Sequence, residues 1–261
     1  MILTTNLQIM KRSRRDHEKE DNGGGTTAGN EEDYNCSILR LPEACLAHAI
    51  SLTTPADACC SLAVSTAFKE AANSDAVWER FLPPDYGSIL AHADYPVDMT
   101  SSKKELFLSL SEDHVLLHQR TKSFWLERKS GAKCYMLSSS SLAIAWVHYP
   151  LYWRRVYLPD SRFEEVAELI GVCWLDIWGG IHSRELSPNT KYAAYLVFSL
   201  ADESYGLDCP IQEAFINMDH DSQVIAVDYI HTSKNLADQF TKSLSRKVVD
   251  SASSEMGVRP I

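Results

Sequence analysis

The hydrophobic period changes once along the chain, near Lys122, and this change constrains the fold more than any other feature. Before it, apolar residues recur at helical spacing. Leu46 and Ile50 fall at i and i+4, and Val77, Trp78, Phe81 and Leu82 gather on one side of a later segment. After it, residues 123–137 read as a strand, a turn at Gly131 and a second strand, and 143–147, 172–177 and 192–200 are further strand candidates. Helices first and strands second predict an α+β chain, not an alternating α/β one.

Punctuation divides the helical half. Thr54-Pro55-Ala56-Asp57 places a capping hydroxyl before a proline at the first helical position and a carboxylate two residues later, which predicts a helix running through Leu62. Val64 and Phe68 continue the apolar set. A third helical segment follows Asn73-Ser74-Asp75, and Pro83-Pro84 stops it. Residues 86–122 read as a connector with one helix over 103–110. Residues 1–37 mix Lys11, Arg12, Arg14 and Arg15 with Gly23-Gly24-Gly25 and Glu31-Glu32-Asp33 and offer no periodic apolar face, so a flexible, disordered leader is expected.

Charge and composition narrow the function. The 25 Lys and Arg against 35 Asp and Glu leave a formal charge of −10, which opposes general, non-specific attraction to nucleic acid. No stretch approaches the roughly 18 apolar residues a membrane span needs, so no membrane partner is expected. The seven cysteines are scattered, with no C-x-x-C pair, which fits a reduced compartment and no metal site. Residues 1–10 lack an apolar block followed by a cleavage site, so cytoplasm or nucleus is expected. Nucleophile elbow, phosphate-loop and H-E-x-x-H motifs are absent, and no enzyme activity and no cofactor are expected. Cys59-Cys60, adjacent on a helix, read as partly buried thiols.

Leu41-Pro42-Glu43, Leu46, Ile50, Pro55-Ala56-Asp57-Ala58, Val64-Ser65, Phe68 and Asp75-Ala76-Val77-Trp78-Glu79-Arg80 together resemble an F-box. The resemblance implies a trihelical domain over 38–85 that docks onto the Skp-type adaptor of a cullin-RING ubiquitin ligase. Its docking residues would be Leu41, Pro42, Leu46, Ile50, Pro55, Val64, Phe68 and Trp78. The plainer reading is that these residues fill a three-helix core, as some do in any case. A module this small cannot bury all its hydrophobes alone, so a partner surface is physically expected.

In the second half, 163–169, Val172-Cys173-Trp174-Leu175-Asp176-Ile177 and Tyr192-Ala193-Ala194-Tyr195-Leu196-Val197-Phe198 resemble the phloem protein 2 lectin domain. F-box and lectin domain joined by Lys103-Lys104-Glu105-Leu106-Phe107-Leu108 resemble the plant F-box phloem protein 2-B family. This implies a jelly-roll-like β-sandwich over 123–216, incomplete here, that binds glycans carrying N-acetylglucosamine or related sugars. The positions matching the family's sugar-site aromatics are Trp146 and Trp153. A broad aromatic face suits the apolar face of a pyranose ring. For Trp146, sugar platform and sandwich core are both open readings. Trp153, beside Tyr152, Arg154 and Arg155, is expected in a loop as a platform, and Trp174 in the core. His148 stands where the family commonly has Asp.

From 217 onward the match is expected to stop. Residues 225–242, with Met256-Gly257-Val258-Arg259-Pro260, resemble the C-terminal end of a copia-type retrotransposon polyprotein, which implies a foreign tail over 217–261, irregular or short-helical. Asp238 matches one metal-binding carboxylate of a ribonuclease H, but two-metal hydrolysis needs several, so no nuclease is expected. The function implied is recruitment of substrates, glycosylated ones included, to a ubiquitin ligase. A lectin without a ligase role and a non-functional chimera are the alternatives.

Overall fold

The computed structural model describes residues 6–11, 38, 41–159, 161–172, 175–200, 214–219, 224–229 and 259–260. The helical half carries α1 (Glu43–Ser51), α2 (Pro55–Ser61), α3 (Thr66–Asn73), α4 (Asp75–Phe81), α5 (Tyr86–Leu90) and α6 (Lys103–Glu112). Their starts are written locally. Thr54 and Asp57 form a reciprocal capping box at α2, Ser102 and Glu105 form another at α6, and the Ser65 hydroxyl accepts from the Phe68 N–H at α3. The expected run of three helices is thus four in 43–81, because the chain turns over 62–64 and restarts at Ser65.

Trp78 fills the centre of this half. It is fully buried, its indole N–H donates to the Ala72 carbonyl at 2.7 Å, and its ring meets Phe81 at 5.6 Å and Phe107 at 5.3 Å. Satisfying the one polar atom of a buried tryptophan removes the main cost of placing it there.

Among the described residues twelve strands follow: β1 (Asn6–Lys11), β2 (Val115–Leu117), β3 (Lys122–Leu126), β4 (Lys133–Leu137), β5 (Ala143–Ile144), β6 (Trp153–Tyr157), β7 (Glu165–Leu169), β8 (Ile177–His182), β9 (Tyr192–Phe198), β10 (Ala214–Asp219), β11 (Val224–Tyr229) and β12 (Arg259–Pro260). They form a six-stranded sheet in the order β12-β9-β1-β4-β3-β2, a four-stranded sheet β10-β11-β8-β5 and the hairpin β6-β7.

Strands β3 and β4 of the large sheet are buried on both faces. Phe124, Leu126, Tyr135, Leu137, Leu196 and Phe198 join the main core, while the alternate residues Trp125, Cys134, Met136 and Val197 join a small second core with Phe163. That second core is roofed by a cation and an imidazole: the Arg162 guanidinium lies 4.9 Å from the Trp125 ring and the His114 ring 4.7 Å from it. Burial, with the Arg162 charge second, pulls His114 down to about 4, and burial brings Arg162 to about 10.

One core runs through both halves. Leu46, Ile50, Trp78 and Phe107 belong to the same buried cluster as Phe124, Tyr135, Trp153, Ile177 and Leu196. Lys133, almost fully buried on β4, pairs with Asp85 at 2.9 Å. Gly131 adopts φ +70°, and a Cβ there would lie 2.6 Å from the Phe81 carbonyl oxygen, so this turn accepts glycine alone without a shift. The connector is pinned too. His118, Gln119 and Arg120 are all left-handed (φ 53°, 59° and 61°), and the Gln119 and Arg120 N–H groups donate to the Asp94 carboxylate at 2.7 and 2.6 Å.

Several expectations are corrected here. Residues 6–11, expected within a flexible leader, form a strand between β4 and β9 with Ile9 buried. Residues 217–229, expected as irregular or short-helical tail, contribute to β10 and β11, and β11 pairs along its length with β8, from Val224 opposite His182 to Tyr229 opposite Ile177. Backbone pairing to a distant strand decides this, and the local polar texture that suggested a helix does not record it. Among the described residues of 172–177, which are Val172 and 175–177, only Ile177 is in a strand, and 143–147 keeps two strand residues before turning. Cys59 and Cys60 are exposed. Trp174 and Asp238 lie outside the described residues.

Candidate functional site

Among the described residues, one set of exposed apolar side chains lies on the helical half and another at a turn of the sheet half. On the helical half, Leu41 is 44% exposed and Val64 63%, and Pro42, Ile38 and Leu52 are exposed as well. Phe68 is half-buried against the core. Leu46, Ile50, Pro55 and Trp78, expected on the docking face, are buried instead. Trp78 lies at the centre of the helices, and Leu46 and Ile50 are the core-facing i and i+4 pair of α1, so these residues shape the module and are not available on its surface. Exposed Leu41, Pro42 and Val64 are what remains of the expected set.

The second surface is the turn between β5 and β6. Trp146, 43% exposed, Tyr149 and Tyr152 form a triangle of rings with centroids 5.9 Å (Trp146–Tyr149), 6.2 Å (Trp146–Tyr152) and 6.2 Å (Tyr149–Tyr152) apart. Trp146 has φ 64°, a left-handed conformation that a bulky residue rarely adopts. The surrounding backbone holds it there. The Ala145 N–H donates to the Asp176 carbonyl at 3.0 Å, the Val147 N–H to Ile144 at 3.3 Å and the Tyr149 N–H to the Trp146 carbonyl at 2.9 Å.

Trp153 is placed differently from its expectation. It is the first residue of β6, only 2% exposed, and its indole N–H donates to the Ala145 carbonyl at 3.0 Å. The expected exposed platform is therefore a core tryptophan whose polar atom clamps the residue before Trp146. The ring that sequence reasoning preferred as a platform is an anchor, and Trp146, left open, is the exposed one. Tyr149 was missed as a third ring. Its signal was the run Tyr149-Pro150-Leu151-Tyr152, too apolar for an ordinary turn.

Polar groups border the aromatic turn. A groove of about 410 Å³ is lined by Ala143, Ala145, His148, Asp176 and the half-exposed Trp178. On the adjoining hairpin, Arg154 sits directly opposite Glu168 and pairs with it, and Arg155 pairs with Glu165 at 3.2 Å. Hydrogen bonding to Glu168 raises Arg154 above its ordinary value. Aromatic faces beside hydrogen-bonding side chains can hold a ligand with one apolar and one polar side. Among the described residues no group of three or more His, Cys, Asp or Glu could hold a metal ion, and no helix is long and apolar enough to cross a membrane.

A mixed helix-and-sheet chain with these surfaces also matches known sequences. The phloem protein 2 family model matches residues 132–254. F-box protein PP2-B2 of Arabidopsis thaliana is 40% identical over 232 residues, 88% of this chain and 72% of the relative. PP2-B10 of the same plant is 45% identical over 178 residues, 68% of this chain and 64% of the relative, and PP2-B1 is 47% identical over 175 residues, 67% and 51%. The chain belongs to the phloem protein 2-B family of F-box proteins, and it spans from about half to about seven tenths of the length of these relatives. No solved structure matches it. The phloem protein 2 match continues past 217, where a foreign tail was expected to begin, and the retroelement fusion is not shown by these comparisons.

Proposed function

We propose that this protein is the substrate-recognition subunit of an SCF-type cullin-RING ubiquitin ligase. In this reading 38–85 is the F-box, 86–122 a connector, and the sheets from 123 onward a jelly-roll-like lectin domain that selects glycosylated targets. The role is that of an adaptor in cytoplasm or nucleus, with no bond-making residue.

The observation that carries the reading is the exposure of Leu41, Pro42 and Val64 on a helical half whose interior is already filled by Trp78, Phe81 and Phe107. Burying such aliphatics against a partner is worth roughly 25 cal/mol per Å², and their loss costs the free fold little. Co-precipitation of the full chain with the Skp-type adaptor tests it. Wild type should bind, and Leu41→Ala with Pro42→Ala should not, at an unchanged melting temperature. A wild-type chain that fails to bind the adaptor ends the ligase reading.

A second reading, a carbohydrate-binding protein without a ligase role, is favoured by the burial of Leu46, Ile50, Pro55 and Trp78, which leaves docking to a smaller set. Glycan-array binding that is lost in Trp146→Ala, together with no adaptor binding, would select it. A wild-type chain with no glycan signal removes sugar recognition from both readings.

A further inference from the structure

We propose that the gap between β4 and β9 is a strand-binding site, filled in one chain by its own residues 6–11 and open to the same segment of a second copy. In the large sheet β4 and β9 are not neighbours. β1 lies between them, antiparallel to both, with Gln8 opposite Met136 on one side and Tyr195 on the other. All six residues of β1 face partners on β9, from Asn6 opposite Val197 to Lys11 opposite Tyr192. Without β1, both neighbours would present unpaired edges in the interior of the sheet, a costly state that recruits another strand.

The occupant's chemistry is written in the slot. Its two walls supply backbone donors and acceptors, which any extended segment can satisfy. Selectivity comes from the alternating side chains. Leu7 and Ile9 alternate with Gln8, and Ile9 is buried in the main core. The fit therefore favours an apolar residue at the Ile9 position.

Why the occupant in trans should be a second copy follows from connectivity. Residues 12–42 link β1 to α1, so the strand is tied to the fold through a long span of sequence, and closure entropy grows only slowly with its length. The same ladder forms whichever chain supplies the strand, and the choice rests on effective concentration. Two copies that each give and receive β1 make a closed two-fold dimer in which β4 and β9 are both paired.

The test uses the full chain and a synthetic peptide of residues 4–13. Hydrogen exchange read by mass spectrometry should show that excess peptide removes protection from the chain's own residues 6–11 while 133–137 and 192–198 keep theirs. The full chain carrying Gln8→Pro should take up peptide roughly tenfold more readily, because proline removes a ladder donor. The same proline placed in the peptide should abolish uptake. At high concentration, tagged full chain should capture untagged chain, and excess peptide should release it. Protection of 6–11 that is unchanged at saturating peptide in the wild-type chain overturns the slot, even if Gln8→Pro does not fold. Copies that never capture one another, or a captured copy that the peptide does not release, overturn exchange between copies.

Discussion

The helical and sheet halves are built by opposite means. In the helices, the deciding contacts are close in sequence: Thr54 with Asp57, Ser65 with Phe68, Ser102 with Glu105, and Trp78 with Ala72. The sheets contain local hairpins such as β3-β4, but the contacts that assemble them are remote: Asn6 pairs with Val197, Leu7 with Leu137, and Val224 with His182. Yet the two halves share one buried cluster and are joined by Gly131 against Phe81 and by Lys133 with Asp85. The contrast teaches that different construction does not mean separate stability. A module that resembles an independent domain is seated on the sheet by its own core residues.

The largest expected effect tests this joining. Trp78→Ala in the helices and Trp153→Ala in the sheets should each cost about 3–5 kcal/mol, since each removes a buried indole and its hydrogen bond. Both variants should still melt in one transition, with circular dichroism of the helices and tryptophan fluorescence of the sheets moving together. Two separated transitions in Trp78→Ala would break the comparison.

Gly131→Ala comes next, at about 1–2 kcal/mol for a side chain in a left-handed position, with a clash against the Phe81 backbone added. Chemical denaturation should show the loss in both halves at once. Loss from the sheets alone would mean that the turn does not join them.

A smaller effect concerns pH. His114 faces Trp125, Arg162 and Asp113, and its folded pKa of about 4 lies below the ordinary histidine value of 6.5. The unfolded chain therefore binds the proton first. The stability contribution is complete above about 6.5 and is lost as pH falls from there to about 4. After discounting for solvent screening, the loss should be about 1 kcal/mol or less. His114→Gln should flatten that part of the stability profile, and an unchanged slope would remove His114 from it.

The smallest effect on stability is expected where binding is proposed. Leu41→Ala and Val64→Ser should change unfolding free energy by about 0.5 kcal/mol or less, as exposed positions do. A loss near that of Trp78→Ala would show that the exposed aliphatics belong to the fold and would blur the difference between core and surface.

The legible parts of the fold are those with local causes. The helix over 103–110, the start at Thr54 and the strand-turn-strand over 123–137 are found close to where capping and alternation put them. Strands β1, β10 and β11 were not legible, because six residues such as Asn6-Leu7-Gln8-Ile9-Met10-Lys11 have no local preference strong enough to announce a strand. Their pairing with distant neighbours supplies it. At the candidate site, the family resemblance picks out Trp146 and Trp153 as a pair and the neighbours Tyr152, Arg154 and Arg155 favour Trp153 as the platform, whereas the structure buries Trp153 and exposes Trp146, because aromatic and polar neighbours flank both in sequence.

By itself, then, the sequence determined the division into a helical and a sheet half, the caps that start the helices, the strand-turn-strand over 123–137, and the residues through which the chain resembles its family. These follow from forces acting over a few residues. Only the tertiary structure decided that Trp153 is an anchor and Trp146 an exposed ring, that Leu46 and Ile50 turn inward while Leu41 and Val64 stay out, and that residues 6–11 close the large sheet. Burial is a property of what lies opposite, and what lies opposite is set by other segments: Ala145 for Trp153, the neighbouring helices for Leu46 and Ile50, and strands more than a hundred residues away for residues 6–11.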